Sequence, residues 1–365
     1  MASVPSYALA GLLKNRRQSS EAALKFAVFG GATAGVMLYG ISLLAGALGS
    51  VHLPTMAAQL AGIVHSGLGM ERGLVLALGG LMVAVGLAFK LSAVPFHFWA
   101  PDVFEGATAE VGAFLSVASK AAGLGLLARL AMMFAAVEPA RVFTSGLIVL
   151  LAAVTCTYGN LAAYGQTNIK RLLAYSTIAH AGYMMMPMAA AVALAGSSKA
   201  DASLAVGAMI FYAAIYLFMN LGAFAAAAFL RNALGSEQID DYAGLVRRSP
   251  GLAVCFAIIL FSLVGLPPLA GFSAKFAIFG SLYQAGLLGL LVIGVLNSVL
   301  SLFYYLRVVR VMLLAPEPAD RPAPTVPLWS APGLYCLTIT LPLGILFVWW
   351  GLFDWATTAT ALLGG

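Results

Sequence analysis

Residues 73–101 read GLVLALGGLMVAVGLAFKLSAVPFHFWAP. A run of roughly 20 apolar residues is long enough for a helix to cross the hydrocarbon core of a bilayer. This run also holds Lys90 in its interior and two prolines, Pro95 and Pro101, near its end. Proline removes a backbone donor, and a membrane helix tolerates that opening where the break lines a protected or wet cavity. The stretch therefore predicts a membrane-spanning helix that is broken beside a buried lysine.

A second stretch repeats this pattern far along the chain. Residues 265–272 read GLPPLAGF inside the apolar segment 250–280, and Lys275 follows them. Prolines are common in membrane helices, so either break alone is weak evidence of function. Two interrupted helices in separate parts of one chain are typical of the internal repeats of a transporter. The pair of breaks, each with its lysine, predicts a transport protein.

Composition places the whole chain in a membrane. Of 365 residues, 62% are hydrophobic and 9% are charged, whereas soluble domains are about 45–50% apolar and about 25% charged. These values exclude an ordinary soluble enzyme and a disordered chain. We predict an all-α polytopic membrane protein with about ten transmembrane helices, the first of them incomplete because the apolar run 1–13 is too short to span. The nine full spans are 22–48, 73–101, 110–137, 142–164, 168–195, 203–231, 250–280, 283–314 and 332–356.

The net charge of +6 is explained by the orientation of these helices. Cytoplasmic loops of membrane proteins carry an excess of Lys and Arg. If the loop at 14–17 is cytoplasmic, eleven cations fall on its side, against three on the other (Arg72, Arg141 and Lys199). We call these two sides the basic face and the opposite face. The bias removes any need for a nucleic-acid partner.

Metal and disulfide chemistry have no basis in the sequence. The three cysteines, Cys156, Cys255 and Cys336, lie far apart in apolar stretches, and there is no Cys/His cluster. We expect no cofactor in this chain. Its chemistry must come from the few polar groups inside the membrane.

Three lysines lie deep in predicted helices: Lys90, Lys120 and Lys275. A charge at the centre of a bilayer helix costs about 2.5–3.5 kcal/mol, so such residues mark functional sites by default. We predict that they take up and release protons, with His97 and His180 as relays, since imidazole titrates near pH 6.5. The alternatives are lysines paired for packing and histidines hydrogen-bonded in the core.

The other polar groups have simpler interpretations. Lys25 and Arg129 lie near enough to a face for their side chains to reach the surface. Glu237, with Asp240 and Asp241, forms an acidic segment that indicates a subunit contact or a solvated loop. Every acidic residue falls in or near a connecting segment, which leaves the membrane interior with cations and without anionic partners.

Four blocks of the sequence resemble the antiporter-like membrane subunits of bacterial NADH–quinone oxidoreductase (respiratory complex I), in the branch of subunit N. The first block, 89–120, reads FKLSAVPFHFWAPDVFEGATAEVGAFLSVASK, and its PDVFEGA form separates subunit N from subunits L and M. The others are QTNIKRLLAYSTIAHAGY at 166–183, NLGAF at 220–224 with IDDYAGL at 239–245, and GLPPLAGFSAKF at 265–276. The N-terminal stretch 5–40 also matches, so the resemblance covers nearly the whole chain.

This resemblance implies two inverted repeats, each with a proline-broken helix: residues 1–137 form a truncated first repeat and 141–314 the second, followed by a transmembrane helix at 331–357. It also implies proton translocation driven by quinone reduction elsewhere in the complex. Lys90 and Lys275 match the lysines of the two broken helices, Lys120 matches the connecting lysine, and His180 matches the histidine of the central polar axis.

The resemblance further implies a setting in the bacterial plasma membrane among the other membrane subunits of complex I. NAD, FMN, iron–sulfur clusters and quinone would then be bound by partner subunits. The family's glutamate five positions before the proline matching Pro5 would fall just ahead of Met1, so we expect an N-terminally truncated chain. Two alternatives remain: a subunit of a related multi-subunit cation/proton antiporter or membrane-bound hydrogenase, and a non-pumping truncated scaffold.

Overall fold

A computed structural model describes residues 3–67, 69–316, 333 and 349–361. The described part is helical, and its only extended pairing is an isolated bridge between Asn168 and Gln238. The helices are α1 (Ser3–Ala10), α2 (Arg17–Leu48), α3 (Leu53–His65), α4 (Met70–Leu91), α5 (Trp99–Gly106), α6 (Ala109–Phe134), α7 (Glu138–Ala163), α8 (Ile169–Leu194), α9 (Lys199–Leu234), a 3-10 helix (Ile239–Tyr242), α10 (Leu245–Arg248), α11 (Pro250–Val264), α12 (Ala270–Gln284), α13 (Leu288–Leu314) and α14 (Trp349–Ala361).

Seven of the described helices are long and apolar enough to cross a membrane: α2, α4, α6, α7, α8, α9 and α13. They correspond to seven of the nine predicted spans, and the predicted all-α membrane fold is confirmed. Of the other two spans, 250–280 is divided between α11 and α12. The last, 332–356, lies mostly outside the described residues, as do Arg321 and Cys336; residue 333 and the first part of α14 are the described positions within it.

Both predicted helix breaks are present. Helix α4 ends at Leu91, and Ser92 takes a left-handed conformation with φ 56° before α5 starts at Trp99. Helix α11 ends at Val264, and Gly265 takes φ 87° before α12 starts at Ala270. A left-handed residue is a common helix C-cap, because it turns the chain away from the axis. Each broken helix therefore stops at a defined cap, and carbonyl groups at that point lose their helical donors.

One helix was missed in the sequence. The predicted spans 22–48 and 73–101 leave the residues between them as a loop, but α3 occupies Leu53–His65, so His65 ends a helix. Met56 and Leu60, four residues apart on this helix, are its buried side chains. Its 13 residues reach only about 20 Å, less than the roughly 30 Å core that defined a span. The length criterion rejected the helix, while the apolar spacing was compatible with it.

Helix α8 is the centre of the fold, and nearly all of it is buried. It packs closely against α7 because glycines remove side chains at the contact. A Cβ atom on Gly182 would lie 2.6 Å from the Cys156 nitrogen, and one on Gly159 would lie 2.5 Å from the Ala179 nitrogen. Small residues of this kind let membrane helices approach each other. His180 lies on this buried helix.

Candidate functional site

Lys275 lies at the second helix break, as the sequence predicted. Its side chain is 4% exposed, and Nζ donates to the carbonyl of Val264 at 2.8 Å. That carbonyl is at the end of α11, where the break has removed its helical donor. Nζ also lies 4.5 Å from the centroid of the Tyr183 ring on α8. The break thus supplies an oxygen acceptor, and the central helix supplies an aromatic face, to one buried ammonium group.

Lys120 contacts the same central helix from the other side of the fold. It lies on α6, is 2% exposed, and donates from Nζ to the carbonyl of Thr177 at 2.7 Å. Because Thr177 belongs to α8, both Lys120 and Lys275 are held against one helix.

His180 lies between these two contacts on α8 and is 2% exposed. Its Nδ1 is 2.6 Å from the hydroxyl of Tyr212, and its ring centroid is 5.0 Å from that of Tyr216 on α9. The Tyr216 hydroxyl donates to Oγ1 of Thr177 at 3.1 Å. On the other side, the rings of His180 and Tyr183 are 6.0 Å apart.

These contacts form a continuous buried series, which we call the lysine–histidine axis: Lys120, Thr177, Tyr216, His180, Tyr183 and Lys275. The three members on α8 are spaced by three residues, so they share one helix face. Lysine, histidine and hydroxyl groups can each accept and donate a proton. The arrangement places groups that can exchange protons in one buried series.

Lys90 has a different environment from Lys275. Its half-buried side chain donates from Nζ to Oγ of Ser3 on α1 at 2.6 Å. The carbonyl of Phe89, at the end of α4, accepts from the backbone nitrogen of Ser92 at 3.0 Å and from the indole Nε1 of Trp99 at 3.1 Å. At the first break the cap residue and a tryptophan therefore satisfy this carbonyl, whereas at the second break a lysine binds the carbonyl of Val264. The structure does not bring Lys90 into the lysine–histidine axis.

His97 lies in the first break and is 9% exposed. Its ring packs against Tyr158 of α7 with 4.3 Å between centroids. The neighbouring Val94 nitrogen donates to Oγ1 of Thr155, also on α7. These contacts join the break to α7, and neither of them involves a residue of the lysine–histidine axis, so the relay role of His97 stays a prediction.

Ion pairs connect the ends of helices at the basic face. Lys25 was interpreted as a side chain reaching the surface, but its Nζ lies 2.6 Å from Asp102 and 2.7 Å from Glu21. Arg171 on α8 binds Asp102 at 2.9 Å and Glu105 at 2.7 Å. Burial alone would raise the pKa of Asp102, but the hydrogen bonds from Lys25 and Arg171 outweigh it and hold that pKa below its usual value. Helix α5 is thus tied to both α2 and α8.

Lys170 and Glu237 correct the sequence interpretation. Lys170 was counted among the eleven cations of the basic face and Glu237 was assigned to an acidic segment at a subunit contact or in a solvated loop, yet their side chains are 1% and 12% exposed, and they form an ion pair at 2.9 Å. Arg231 also binds Glu237 at 2.9 Å, and Lys170 Nζ donates to the carbonyl of Ala107 at 2.7 Å. A buried anion therefore does accompany a buried cation. No sequence spacing indicates this pair, since the bridge between Asn168 and Gln238 brings the two segments together.

Tyr183, Tyr212 and Tyr216 were missed as site residues, because aromatic residues at helical spacing are usual in a packed core. In the part of the chain that the structure describes, no group of three or more His, Cys, Asp or Glu side chains is placed to hold a metal ion. Cys156 and Cys255 are buried free thiols.

Comparison with known proteins agrees with this architecture. The family described as NADH:quinone oxidoreductase/Mrp antiporter, TM, matches residues 1–301. NADH-quinone oxidoreductase subunit N 1 of Roseiflexus castenholzii is 40% identical over 99% of this chain and 69% of its own length. NAD(P)H-quinone oxidoreductase subunit 2 of Gloeothece citriformis is 42% identical over 95% of this chain and 65% of its own. The chain thus spans about two thirds of the length of these relatives.

Solved structures show the same fold. A chain of respiratory complex I from Thermus thermophilus with bound aureothin superposes with a TM-score of 0.76 at 34% identity, over 96% of this chain and 72% of that one. A chain of the Mrp complex from Dietzia sp. superposes with a TM-score of 0.83 at 20% identity, over 99% of this chain and 72% of that one. With the family match and the relatives at 40% identity or more, these findings show that the chain belongs to the membrane subunits of the NADH:quinone oxidoreductase/Mrp antiporter family.

Proposed function

We propose that this chain is a non-redox membrane subunit of an NADH:quinone oxidoreductase and translocates protons along the lysine–histidine axis. The observation that supports the proposal most directly is the buried connection from Lys120 to Lys275 through His180. A soluble or purely structural helix bundle has no need of two nearly fully buried lysines, because each costs free energy to place in the membrane.

The proposal sets an order of proton steps. The Lys120 ammonium, held by the Thr177 carbonyl beside the Thr177–Tyr216 hydrogen bond, gives up one proton from Nζ and becomes a neutral amine. Because a carbonyl does not pass a proton on, water carries this proton to the His180 ring, whose Nδ1 is bonded to Tyr212 and which becomes an imidazolium. His180 then releases a proton that passes Tyr183 and converts the neutral amine of Lys275 to an ammonium. The His180–Tyr183 separation of 6.0 Å between rings is bridged by water in this proposal, since a bridging water is nearly as good as a direct hydrogen bond.

The proposal extends to the setting of the chain. The energy would come from quinone reduction in partner subunits that bind NAD, FMN, iron–sulfur clusters and quinone. The partners in the membrane would be the other membrane subunits of complex I, in a bacterial plasma membrane. We further propose that residues 1–137 and 141–314 correspond to the two inverted repeats. In support, each range contains one broken helix followed by a long unbroken one.

A cation/proton antiporter subunit is the main alternative. The Mrp chain and a chain of an archaeal membrane-bound sulfane sulfur reductase share the fold at 20% and 24% identity. Identity to the complex I chain is 34%, which favours the oxidoreductase. The scaffold alternative keeps the fold but assigns no transport to the axis.

The substitution Lys120→Ala tests the proposal in the assembled complex reconstituted into liposomes. Lys14→Ala, at an exposed lysine of the basic face, is the matched control. We expect Lys120→Ala to lower the number of protons moved per NADH oxidised and Lys14→Ala to leave it unchanged. An unchanged ratio in Lys120→Ala would overturn the proposal. Proton movement that requires sodium would favour the antiporter.

A further inference from the structure

A second set of buried polar side chains lies between α7, α8 and α13. We propose that this set, which we call the tyrosine seam, is a proton-uptake branch that connects the basic face to the lysine–histidine axis. Its members are Asn160, Ser176, Asn297, Tyr304 and Tyr305, and each is at most 2% exposed. The proposal rests on the proposed function and adds an entry route to it.

One face of α13 carries two of the five members, Asn297 and Tyr304. Together with Ser301 they follow one another at spacings of four and three residues, so they lie on the same side of the helix. This side is turned to α7. The Tyr304 hydroxyl donates to Oδ1 of Asn160 at 3.0 Å, and Nδ2 of Asn160 donates to Oδ1 of Asn297 at 3.1 Å. Nδ2 of Asn297 in turn donates to Oγ1 of Thr157 at 3.0 Å.

The seam reaches the axis at α8. The Tyr305 hydroxyl is hydrogen-bonded to Oγ of Ser176, the residue directly before Thr177, whose carbonyl accepts from Lys120. The rings of Tyr304 and Tyr305 pack with 4.4 Å between centroids. A second contact lies nearer Lys275, where the Tyr183 hydroxyl is 3.0 Å from Oγ of Ser298 on α13.

At its other end the seam approaches the basic face. Tyr164, the C-cap of α7, is 37% exposed, and its ring centroid is 5.9 Å from that of Tyr304. Arg307, one of the basic-face cations, donates from Nη1 to the carbonyl of Tyr164 at 2.8 Å. From the exposed Tyr164, the aromatic and polar contacts thus continue through Tyr304 and Tyr305 to Ser176.

The side chains of the tyrosine seam are better suited to a proton relay than to packing alone. Interhelical packing in membranes is achieved by small residues, and polar contacts there add only about 0.6 kcal/mol on average. Three hydroxyl groups in succession, from Tyr304, Tyr305 and Ser176, can each accept a proton on one side and donate one on the other. Asn160 fixes the Tyr304 hydroxyl by accepting its hydrogen bond.

The test uses the assembled complex in liposomes, with Tyr304→Phe and Tyr305→Phe as variants that keep the rings and remove the hydroxyls. Tyr39→Phe, at a tyrosine of α2 that is 60% exposed, is the matched control. We expect proton transport to slow about two- to tenfold in both seam variants, as for the loss of one hydrogen bond. The control should be unaffected. Unchanged transport in both seam variants overturns the seam, whereas loss in Lys120→Ala alone would leave the axis standing without it.

A second measurement separates a wet route from a dry contact. Tyr304→Cys is treated with a charged, membrane-impermeant thiol reagent applied to the basic face or to the opposite face. Labelling from the basic face alone is the expected result, and the parent protein with its buried thiols is the background. No labelling from the basic face, or equal labelling from both faces, would overturn the uptake branch even if the phenylalanine variants fail to assemble.

Discussion

The ammonium group of Lys275 lies 4.5 Å above the ring of Tyr183, while its Nζ donates to the carbonyl at the end of the broken helix α11. The aromatic ring belongs to the central helix and the carbonyl to the break. A cation over a desolvated ring gains about 2 kcal/mol. Lys275 is therefore positioned by two elements at once, and a change in either one displaces the ammonium group.

The ring and the hydroxyl of Tyr183 can be tested separately. Tyr183→Leu removes the ring, and we expect proton transport in the reconstituted complex to fall about tenfold, the equivalent of 1.4 kcal/mol. Tyr183→Phe keeps the ring, and we expect a smaller loss. The rate is measured with a pH-sensitive dye inside liposomes. Equal losses in the two variants would assign the effect to the hydroxyl and its contact with Ser298.

Two substitutions of Lys275 test whether this residue carries protons or only supplies a fixed positive charge. We expect Lys275→Ala to abolish coupled proton transport while the complex still assembles. Lys275→Arg should also abolish it, because a guanidinium keeps its proton in proteins. The measurement is the ratio of protons moved to NADH oxidised, with assembly checked by native gel electrophoresis. Full transport in Lys275→Arg would mean that only the charge matters, and failed assembly would indicate a structural role.

The two helix caps predict opposite effects on stability. Gly265→Ala places a side chain at φ 87°, and its Cβ would lie 3.0 Å from Cδ of Lys275, so we expect a loss of about 1–2 kcal/mol. Ser92→Gly relieves the left-handed strain and removes a buried hydroxyl without a partner among the described residues, so we expect a neutral or stabilising change. The midpoint of thermal unfolding of the purified complex measures both. An unchanged unfolding midpoint in Gly265→Ala would contradict the left-handed cap geometry.

The buried ion pair between Lys170 and Glu237 predicts a large loss on truncation. Glu237→Ala leaves the Lys170 ammonium buried without its carboxylate, which typically costs about 3–5 kcal/mol. Glu21→Ala is the matched control, because its pair with Lys25 is 35% and 50% exposed and such surface pairs are worth about 0–1 kcal/mol. The midpoint temperature of thermal unfolding should fall strongly in Glu237→Ala and not in Glu21→Ala. Similar midpoints would mean that water reaches Glu237.

Asp102 gives a prediction with a defined pH dependence. The pKa of Asp102 is lowered in the folded protein, so its ion pairs stabilise the fold at pH values above its ordinary pKa of 3.8. That stabilisation is lost as the pH falls through the lowered pKa. We expect Asp102→Asn to be less stable than the parent by a constant amount from pH 5 to pH 8. The difference should shrink only below about pH 4. A difference that vanishes near pH 6 would show that the pKa of Asp102 is raised instead of lowered, and no difference at any pH would show that the pairs with Lys25 and Arg171 do not form.

The predictable part of this molecule is what depends on neighbours in the chain. Apolar runs and prolines gave the spans and both breaks, because these properties act within one helix. Lys275 was placed correctly since its acceptor, Val264, lies only eleven residues away. Lys90 also lies beside its break, but its hydrogen bond goes to Ser3 of α1, 87 residues away in the chain, and no spacing rule gives a contact of that range.

Contacts between distant segments escaped the sequence. Lys170 looked like one more basic-face cation, yet its partner Glu237 comes from a loop 67 residues later. His180 was identified by the titration of imidazole near pH 6.5 and by the family resemblance, but Tyr212 and Tyr216 resemble ordinary core aromatics until the fold places them beside it. Tertiary packing decides which polar groups meet, and one sequence carries little information about it.

In the proposed function, the three axis residues on α8 also set how much work the transmembrane voltage does on a moving proton. From Thr177 to Tyr183 the helix rises about 9 Å, roughly a third of a 30 Å hydrocarbon core. A full crossing costs or gains about 2.3 kcal/mol per 100 mV for each charge. A proton moving along this face of α8 therefore exchanges only about 0.7 kcal/mol per 100 mV with the membrane potential. The larger share of the electrical work falls on the entry and exit routes to either side of His180.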